Sequence, residues 1–250
     1  MKDLKPSTLE QRHKYYSCEF PKYNLRKWFS EGGIPQPQLY AVDMGSETGI
    51  IKNREKLGKM IILRAVNLED KLKDYLPEDV YYDRNRYGDV ELALEKLNFR
   101  EIFTDPNIEA QELAFDIDPE NIPCGCRSSY PHFCEKCLKE SIQQGVRLAE
   151  HLSDRFDRIG LVYSGRGIHV HVFERSAFKL TIKEREEINN DVVGFGIDPW
   201  VSRGRIRLIR LPFSLNALVS RVVLPLTVEQ AVEFDPVTSD MAVPGFLKKE

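Results

Sequence analysis

The amino-acid sequence predicts a mixed α/β fold of the α+β type, in which a mixed sheet is flanked by helices. Apolar and polar residues alternate through Glu112–Asp118, as they do in a half-buried strand. Apolar residues recur at spacings of three and four between Cys137 and Phe156, which predicts an amphipathic helix. Two short apolar runs flank the glycine-rich turn 164–167 and predict a pair of strands.

The chain before the Glu112–Asp118 strand is predicted to hold short helices and short strands. Ser7 to Glu10 has the form of a capping box, which predicts a helix that runs to about Tyr16. A second short helix is predicted around Trp28 and ends at the Gly32-Gly33 pair, after which the chain turns. The other predictions for this part are strands near 38–43, 49–52, 59–65 and 79–82 and a helix around 89–98.

Asp116 and Asp118 are the most informative residues of the chain. A single residue separates them, so a strand places both carboxylates on the same face. Two like charges so placed repel each other, and a divalent cation between them removes the repulsion. Carboxylate oxygens that leave room for phosphate oxygens suit Mg²⁺ or Mn²⁺. For such a pair in isolation, a solvated strand face is the more common explanation.

Four of the five cysteines lie close together after this strand. They occupy a loop at about 121–138 and are Cys124, Cys126, Cys134 and Cys137. In a chain without a secretion signal such clustering favours zinc over disulfides, and thiolates complete the tetrahedral shell of a structural zinc ion. His132 can replace one thiolate as a ligand. The alternative is a set of reduced cysteines without metal, and the isolated Cys18 is predicted to be a small core residue.

The turn Ser164-Gly-Arg-Gly167 is a candidate phosphate site. Its glycines allow the backbone to approach a phosphate closely, and Arg166 supplies a fork of donors. Ser164 and His169 add polar groups on either side. Structural hairpins with similar turns outnumber phosphate loops. Because the turn and the two aspartates are predicted to share a sheet, together they predict a pocket for a metal ion and a triphosphate.

The last part of the chain is predicted to combine helix and strand. A capping box at Thr181 predicts a helix, and strands are predicted near 205–210 and 220–224. The residues from Phe234 onward are predicted to form an irregular tail. No shift in composition marks a domain boundary, so a single domain over 1–250 is expected.

Asp198 and the arginines after it are a further group of candidates. Asp198 precedes a proline, so it suits either a third metal ligand or a turn residue. Arg203, Arg205 and Arg207 share one face of the predicted strand. They would form either a local basic groove or a solvated edge strand.

The composition is that of an ordinary globular protein and limits the classes of function. The 250 residues carry a net charge of −3, which argues against a uniformly basic nucleic-acid coat but leaves room for a local basic groove. No apolar run is long enough to span a membrane, so no membrane partner is expected. The N-terminus lacks the apolar stretch of a signal peptide, so an intracellular location, cytoplasmic or nuclear, is expected.

The chain resembles the catalytic (small) subunit of DNA primases of the archaeal and eukaryotic type, which belong to the archaeo-eukaryotic primase superfamily. The motifs occur along the chain in the order that this family has. The resemblance rests on Glu112–Asp118, the cysteine loop, Tyr163–Val170 and Ile197–Ser214, and it extends weakly to the N-terminus. It implies a primase catalytic core with a small zinc knuckle. Few residues separate Tyr163–Val170 from Ile197–Ser214. The helical subdomain that many relatives insert there is therefore expected to be absent or vestigial.

The resemblance also implies roles for individual residues. The residues that match the family's catalytic, metal-binding acids are Asp116, Asp118 and Asp198. The residues that match its nucleotide-phosphate motif are Ser164, Arg166 and His169. Arg210 matches a basic residue placed against the triphosphate, and Arg84 matches a nucleotide-contacting arginine. The chain departs from the family in lacking the frequent Arg-Glu-Phe motif near Gln36–Tyr40 and in having Asn216 where a histidine is common.

The function implied by the resemblance is synthesis of short RNA primers from nucleoside triphosphates on single-stranded DNA, by nucleotidyl transfer that depends on Mg²⁺ or Mn²⁺. The implied partners are the template strand, the RNA primer and a primase large subunit that contains an iron–sulfur domain. One alternative is a primase-polymerase of the same superfamily that extends with deoxynucleotides. The other is a non-catalytic, zinc-containing nucleic-acid-binding module, which would need no cluster of acids beside a phosphate loop.

Overall fold

The computed structural model describes residues 4–45, 60–95, 105–123, 125–126 and 134–248. The strand predicted at 49–52 lies outside these ranges, as do the last residues of the helix predicted around 89–98 and both Cys124 and His132. None of the described helices combines the length and the apolar character needed to cross a membrane.

Short helices and strands follow one another along the described chain. The α-helices are α1 (Leu9–Lys14), α2 (Lys22–Gly32), α3 (Leu68–Tyr75), α4 (Val90–Glu95), α5 (Glu135–Leu152), α6 (Ile182–Asp191), α7 (Pro199–Ser202) and α8 (Val228–Glu233). A π-helix and short 3₁₀ helices complete the helical elements: Tyr15–Glu19, Pro119–Asn121, Ala177–Lys179 and Gly245–Leu247. The strands are β1 (Leu39–Asp43), β2 (Met60–Arg64), β3 (Asp79–Asp83), β4 (Asn85–Tyr87), β5 (Ile108–Gln111), β6 (Leu113–Ile117), β7 (Ile159–Tyr163), β8 (Ile168–Val172), β9 (Leu208–Arg210), β10 (Leu215–Asn216), β11 (Arg221–Val222) and β12 (Leu224–Leu226).

Two antiparallel sheets organise the described strands. The first sheet has the order β2-β1-β3-β9, the second sheet has the order β12-β7-β8-β6, and two-stranded ladders join β4 to β5 and β10 to β11. The predicted α/β class is confirmed, but these strands form two antiparallel sheets instead of one mixed sheet. Connections as short as the turn between β7 and β8 join antiparallel neighbours, because a parallel pair needs a long crossover.

Strand β6 separates two apolar clusters. Leu113, Phe115 and Ile117 are buried with the apolar face of α5 in one cluster. Ala114 belongs to the other cluster, which contains apolar residues of the first sheet. Since side chains alternate along a strand, Asp116 shares the face of Ala114 and is directed toward the first sheet. The candidate acids therefore lie on the side of the second sheet that faces the first sheet.

The first helix begins one residue later than the sequence predicts. Thr8 is the N-cap, and its hydroxyl accepts from the Gln11 N–H while the Gln11 side chain accepts from the Thr8 N–H. Ser7 is buried instead, and its hydroxyl donates to the carbonyl of Ala217. A long-range contact therefore takes the residue that the local motif predicted as the cap.

Cys18 is exposed, so the prediction of a core residue is wrong. It lies in the π-helix Tyr15–Glu19, in which Tyr15 and Tyr16 are the buried residues. The two tyrosines fill the inward face of this turn, and Cys18 is left on the solvent side.

The arginine-rich segment 203–210 forms a strand only at its end, over Leu208–Arg210. Arg203 is the C-cap of α7, Gly204 turns the chain with a φ of 80°, and β9 begins only after Arg207. Arg205 is exposed, whereas Arg207 is buried in an ion pair with Asp83, with 3.2 Å between Nε and Oδ2. The predicted common face of the three arginines is therefore wrong, because the turn at Gly204 interrupts the strand.

Gly145 sets the distance between α5 and β8. A Cβ at this position would lie 2.4 Å from Cγ2 of Ile168, which is fully buried and β-branched. Gly145→Ala is expected to lower the free energy of unfolding by about 1–3 kcal/mol through overpacking, although alanine favours a helix by about 1 kcal/mol. Gly32→Ala is the matched control, because its Cβ would make ordinary contacts at 3.6 Å. Urea unfolding that finds the two variants equally stable would contradict this prediction.

Candidate active site

The candidate acids begin where strand β6 ends. Asp116 is paired with His169 across the β6–β8 ladder, and Ile117 is paired with Ile168. Asp118 follows directly, with an extended backbone (φ −93°, ψ 148°), and precedes the first 3₁₀ residue of the turn by which the chain leaves the sheet. The alternation of the strand therefore directs the carboxylates of Asp116 and Asp118 to the same side.

Asp198 reaches the other acids through the backbone. Its N–H donates to the Asp116 carbonyl at 2.8 Å, and Ile197 forms an isolated antiparallel bridge with Ile117. The Oδ1 atom of Asp198 accepts from the Trp200 N–H at 2.8 Å and caps α7. Asp198 is thus a capping residue, as one of the two predictions has it. Its position beside the strand acids also suits the other prediction, a metal ligand.

The buried environment and the neighbouring acids disfavour the charged forms of Asp116 and Asp118. Burial, followed by the charges of Asp118 and Asp198, raises the pKa of Asp116 well above its ordinary value, against the charges of Arg210 and Arg166. Burial also raises the pKa of Asp118, again against the charge of Arg166. Each raised pKa means that the folded protein destabilises the carboxylate relative to the neutral acid.

One buried oxygen of this cluster has no hydrogen-bond donor among the described residues. It is Oδ1 of Asp116, which is buried. The nearest ring nitrogen, Nε2 of His169, lies 3.5 Å from it. Burial, followed by the neighbouring His171, lowers the pKa of His169 well below its ordinary value, so this ring is neutral at physiological pH. A buried carboxylate oxygen without a donor is expected where a cation takes the donor's place.

The ligand chemistry of the acids fits a hard divalent cation. Carboxylate oxygens suit Mg²⁺ or Mn²⁺, which also accept phosphate oxygens and water as ligands. Among the described residues, the ligand oxygens of three acids do not all lie within 4.8 Å of one another, whereas the sulfurs of three cysteines do. The acids therefore do not form a closed cage on their own. Room for ligands from a substrate is what Mg²⁺ sites in phosphoryl-transfer enzymes usually retain.

The glycine-rich turn packs against the end of β6. Within the turn, the Gly167 N–H donates to the Ser164 hydroxyl and the Ser164 N–H donates to the Gly167 carbonyl, both at 3.0 Å. A Cβ on Gly167 would lie 2.3 Å from the carbonyl oxygen of Ile117 and 3.0 Å from Oδ1 of Asp118. This close approach requires glycine, and it brings the candidate phosphate turn to the acids.

The positive charges of Arg166 and Arg210 oppose the rise in the pKa values of Asp116 and Asp118. Each arginine also contacts another carboxylate. Arg166 donates to Glu120. Arg210, on β9, forms an ion pair with Asp79 and lies over the ring of Tyr81, 5.2 Å from its centroid. Although burial opposes it, the charge of Asp79 raises the pKa of Arg210, so this side chain stays charged. The two arginines thus bring positive charge to the acids from both sheets.

Arg84 is buried behind the acids. Its guanidinium donates to three backbone carbonyls, those of Glu112 at 2.8 Å, of Val201 at 2.9 Å and of Ile206. These hydrogen bonds hold α7 and the residues after it against the start of β6. The nucleotide contact implied for Arg84 stays a prediction.

A buried polar network that the sequence patterns do not predict lies behind the site. Oε1 of Glu112 lies 2.7 Å from Nδ1 of His171, and Oε2 of Glu112 accepts from the hydroxyl of Tyr82 at 2.7 Å. The alternation along β6 is a signal for Glu112, but Tyr82 comes from the first sheet and only the tertiary structure brings it here. The other residues that sequence reasoning missed, each beside or paired with a predicted one, are Glu120, Asp79 and Trp200.

Three of the clustered cysteines come together at the start of α5. The thiols of Cys126, Cys134 and Cys137 all lie within 4.8 Å of one another, and the sulfurs of Cys126 and Cys137 are 3.7 Å apart. Cys134 is the residue before α5, and Cys137 is buried in its first turn. The arrangement suits a zinc ion with one further ligand, and the two candidates for it, Cys124 and His132, lie outside the described residues.

Acids at a strand end, beside a glycine-rich turn in an α/β fold, favour one class of protein, the nucleotidyltransferase-type enzymes. The family model for the DNA primase small subunit matches residues 115–199. The chain is 36% identical to an uncharacterized DNA primase small subunit-like protein of Archaeoglobus fulgidus, over 98% of this chain and 92% of that protein. The chain therefore belongs to the DNA primase small subunit family.

Other relatives match over a smaller share of their length. The chain is 27% identical to the DNA primase small subunit PriS of Haloarcula marismortui, over 71% of this chain and 40% of that protein. It is 27% identical to PriS of Pyrobaculum arsenaticum, over 61% of this chain and 48% of that protein. Among solved structures, the chain is similar to the polymerase domain of Mycobacterium tuberculosis Ligase D in complex with DNA. The match covers 93% of this chain and 84% of that domain's chain, with a TM-score of 0.48 and 13% sequence identity.

The raised pKa of Asp116 predicts a pH-dependent loss of stability. Because the folded state favours the neutral acid, stability falls as the pH rises from the ordinary carboxyl pKa toward the raised one. In buffer without Mg²⁺ or Mn²⁺, Asp116→Asn is expected to melt about 2–4 °C above wild type at neutral pH, the shift that about 1 kcal/mol produces in a chain of this size. Near pH 4, about the pKa of an ordinary carboxyl group, the difference is expected to disappear.

The control for this charge effect is Asp154→Asn, which removes one negative charge from an exposed residue. It is expected to leave the melting temperature unchanged at both pH values. Melting followed by circular dichroism checks both variants. Equal melting temperatures for wild type and Asp116→Asn at neutral pH would contradict the prediction.

The cysteine cluster predicts one zinc ion per chain. Cys134→Ser is expected to lose most of the zinc, because a hydroxyl is a far weaker zinc ligand than a thiolate. Cys18→Ser, which changes an exposed cysteine outside the cluster, is expected to retain it. Metal analysis of protein purified under reducing conditions measures the zinc content. Full zinc in Cys134→Ser, or no zinc in the wild type, would be inconsistent with a structural zinc site.

Proposed function

We propose that this protein is a primase, a DNA-dependent RNA polymerase that makes short RNA primers on single-stranded DNA from nucleoside triphosphates. The observation that carries the proposal is the hydrogen bond from the Asp198 N–H to the Asp116 carbonyl, because it adds a third acid to the pair on β6. Membership in the DNA primase small subunit family supports it. The glycine-rich turn, packed at the same end of the sheet, supports it as well.

The acids Asp116, Asp118 and Asp198 would hold Mg²⁺ or Mn²⁺. When bound, such ions supply Lewis-acid activation of a primer 3′-hydroxyl and neutralise charge on a triphosphate. The raised pKa values of Asp116 and Asp118 agree with this role, because a cation restores the charged forms that burial disfavours. Asp198 would present Oδ2, since its Oδ1 caps α7.

The triphosphate is assigned to the glycine-rich turn and to the residues around it. The assigned residues are Ser164, Arg166, His169 and Arg210. A guanidinium has several N–H donors in a fork, so an arginine can bind a carboxylate and a phosphate at the same time. His169 is neutral because burial lowers its pKa, and it can donate one N–H to the triphosphate without adding charge.

Arg84 supports the reaction through the backbone in this proposal. Its hydrogen bonds to the carbonyls of Val201 and Ile206 hold both α7, which Asp198 caps, and the residues that follow the turn at Gly204. A fixed segment keeps the Asp198 carboxylate beside the acids of β6, and groups held in place before the reaction contribute most to catalysis.

The remaining partners in this proposal are the single-stranded DNA template, the RNA primer and a large subunit with an iron–sulfur domain. This chain spans less than half of the length of the Haloarcula and Pyrobaculum PriS proteins. Extension of a supplied primer therefore has to be measured separately from the synthesis of a new primer, with and without a large subunit.

The test of the proposal is a primer-synthesis and primer-extension assay on single-stranded DNA with labelled ATP or dATP, in the presence of Mg²⁺ or Mn²⁺. A primase is expected to incorporate ATP. Preferred incorporation of dATP would instead support the primase-polymerase of the same superfamily. Incorporation of neither nucleotide onto a supplied primer would contradict both activities and favour a non-catalytic module.

Replacement of Asp116 and Asp118 together by alanine is expected to lower nucleotide incorporation by about a hundredfold or more, equivalent to about 3 kcal/mol of transition-state stabilisation. The melting temperature is not expected to fall, because two mutually repelling charges are removed. The matched control replaces the exposed Asp154 and Asp157 by alanine and is expected to keep wild-type activity. Wild-type rates in the Asp116/Asp118 variant would rule out the catalytic assignment.

A further inference from the structure

Trp200 is a large aromatic side chain exposed beside the acid cluster. It is 47% exposed. Its backbone N–H donates to the carboxylate of Asp198, so the side chain emerges within one short turn of the proposed metal ligand. An exposed indole at the edge of a site is a common sign of a binding surface, since aromatic rings contribute much of the energy of recognition.

Helix α7, which carries Trp200, and the turn after it are held in place from several sides. The Trp200 carbonyl accepts from the N–H groups of Arg205 at 2.9 Å and Ile206 at 3.1 Å. From beneath, Arg84 donates to the carbonyls of Val201 and Ile206. The indole is therefore presented on a fixed backbone, which reduces the entropy that a ligand's binding would cost.

Arg205 adds positive charge to this surface. Its guanidinium lies over the indole of Trp200, 5.8 Å from the ring centroid, and the side chain is exposed. A flat aromatic ring beside an arginine is the combination with which proteins bind single-stranded nucleic acid, by stacking on bases and by attraction to phosphates. A peptide or a lipid surface would require a larger apolar area than one indole.

We propose that Trp200 and Arg205 form a stacking platform for a base of single-stranded DNA next to the acid cluster. The inference rests on the proposed function, because a template strand has to pass close to the acids at which nucleotides are joined. The indole stacks on one base and the guanidinium contacts the adjacent phosphate. Stacking of this kind tolerates any base, as a template site must.

The fluorescence of Trp200 provides a direct test. The chain has two tryptophans, and the other, Trp28, packs edge-on against the rings of His171 and Phe173. An oligothymidylate of about 12 nucleotides, added without metal or nucleotide, is expected to quench wild-type fluorescence but not that of Trp200→Leu. Its affinity, measured by fluorescence anisotropy, is expected to be about 5- to 100-fold weaker in Trp200→Leu, the effect of losing one stacked base. Trp200→Tyr keeps a stacking ring and is expected to restore most of the affinity.

An abasic strand of the same length separates stacking from charge. It keeps the phosphates but offers no base, so it is expected to cause little quenching in the wild type. Trp200→Leu is expected to bind it as well as the wild type does. Quenching by the abasic strand as strong as that by oligothymidylate would overturn the stacking role.

The chain offers a matched control for Arg205. Arg155 is also exposed and lies over an aromatic ring, 5.4 Å from the centroid of Phe156, but Phe156 is buried. Arg205→Ala is expected to weaken DNA binding and to reduce its salt dependence by about one phosphate contact. Arg155→Ala is expected to change neither quantity, and equal effects of the two substitutions would overturn the assignment of Arg205.

The binding measurements and the activity measurements test the stacking platform and the proposed function separately. Unchanged affinity for oligothymidylate in a folded Trp200→Leu protein would overturn the platform, even if the protein joins nucleotides. Quenching and weakened binding in a protein that joins no nucleotides would support the platform and overturn the proposed function. Circular dichroism confirms that the exposed substitutions leave the fold unchanged.

Discussion

The pairing of β6 with β8 is the constraint on which the rest of the structure depends. It sets Asp116 opposite His169 and brings the glycine-rich turn to the strand end. A slip of one residue would turn every side chain of β6 to the opposite face and would move the acids into the apolar cluster around α5. Leu113, Phe115 and Ile117 prevent this slip because they are fully buried in that cluster. The apolar half of the strand therefore holds the polar half in register.

The acid cluster itself does not stabilise the fold. Burial and mutual repulsion raise the pKa values of Asp116 and Asp118, and the charges of Arg166 and Arg210 only oppose these shifts. The packed clusters on the two sides of β6 offset this unfavourable term. A site of this kind is ready for a divalent cation, because the cation supplies the charge that the protein lacks. Cation binding and folding stability are then linked, since a ligand that binds only the folded state stabilises it.

The sequence patterns were sufficient where the signal is local. The alternation of β6, the periodicity of α5 and the capping box at Thr181 all have their counterparts in the structure. Local patterns failed where a contact with a distant residue determines the burial of a side chain. The sequence pattern predicts an exposed basic face for Arg207, but this side chain is buried in an ion pair with Asp83. Strands as short as β4 and β5 carry too few residues for a periodicity. The placement of Asp116 and Asp118 on one strand face can be predicted from sequence alone. The ion pairs of Arg166 with Glu120 and of Arg210 with Asp79 cannot, because they depend on how distant segments pack together.

Binding of Mn²⁺, followed by electron paramagnetic resonance, tests most directly whether the three acids form one cation site. The informative variant is Asp198→Asn, because asparagine also caps a helix and therefore preserves the local turn. The account predicts that wild type binds Mn²⁺ and that Asp198→Asn binds it about tenfold or more weakly, since one charged ligand is lost. Asp154→Asn, at an exposed position, should match wild type. Equal Mn²⁺ affinity in wild type and Asp198→Asn would contradict the account.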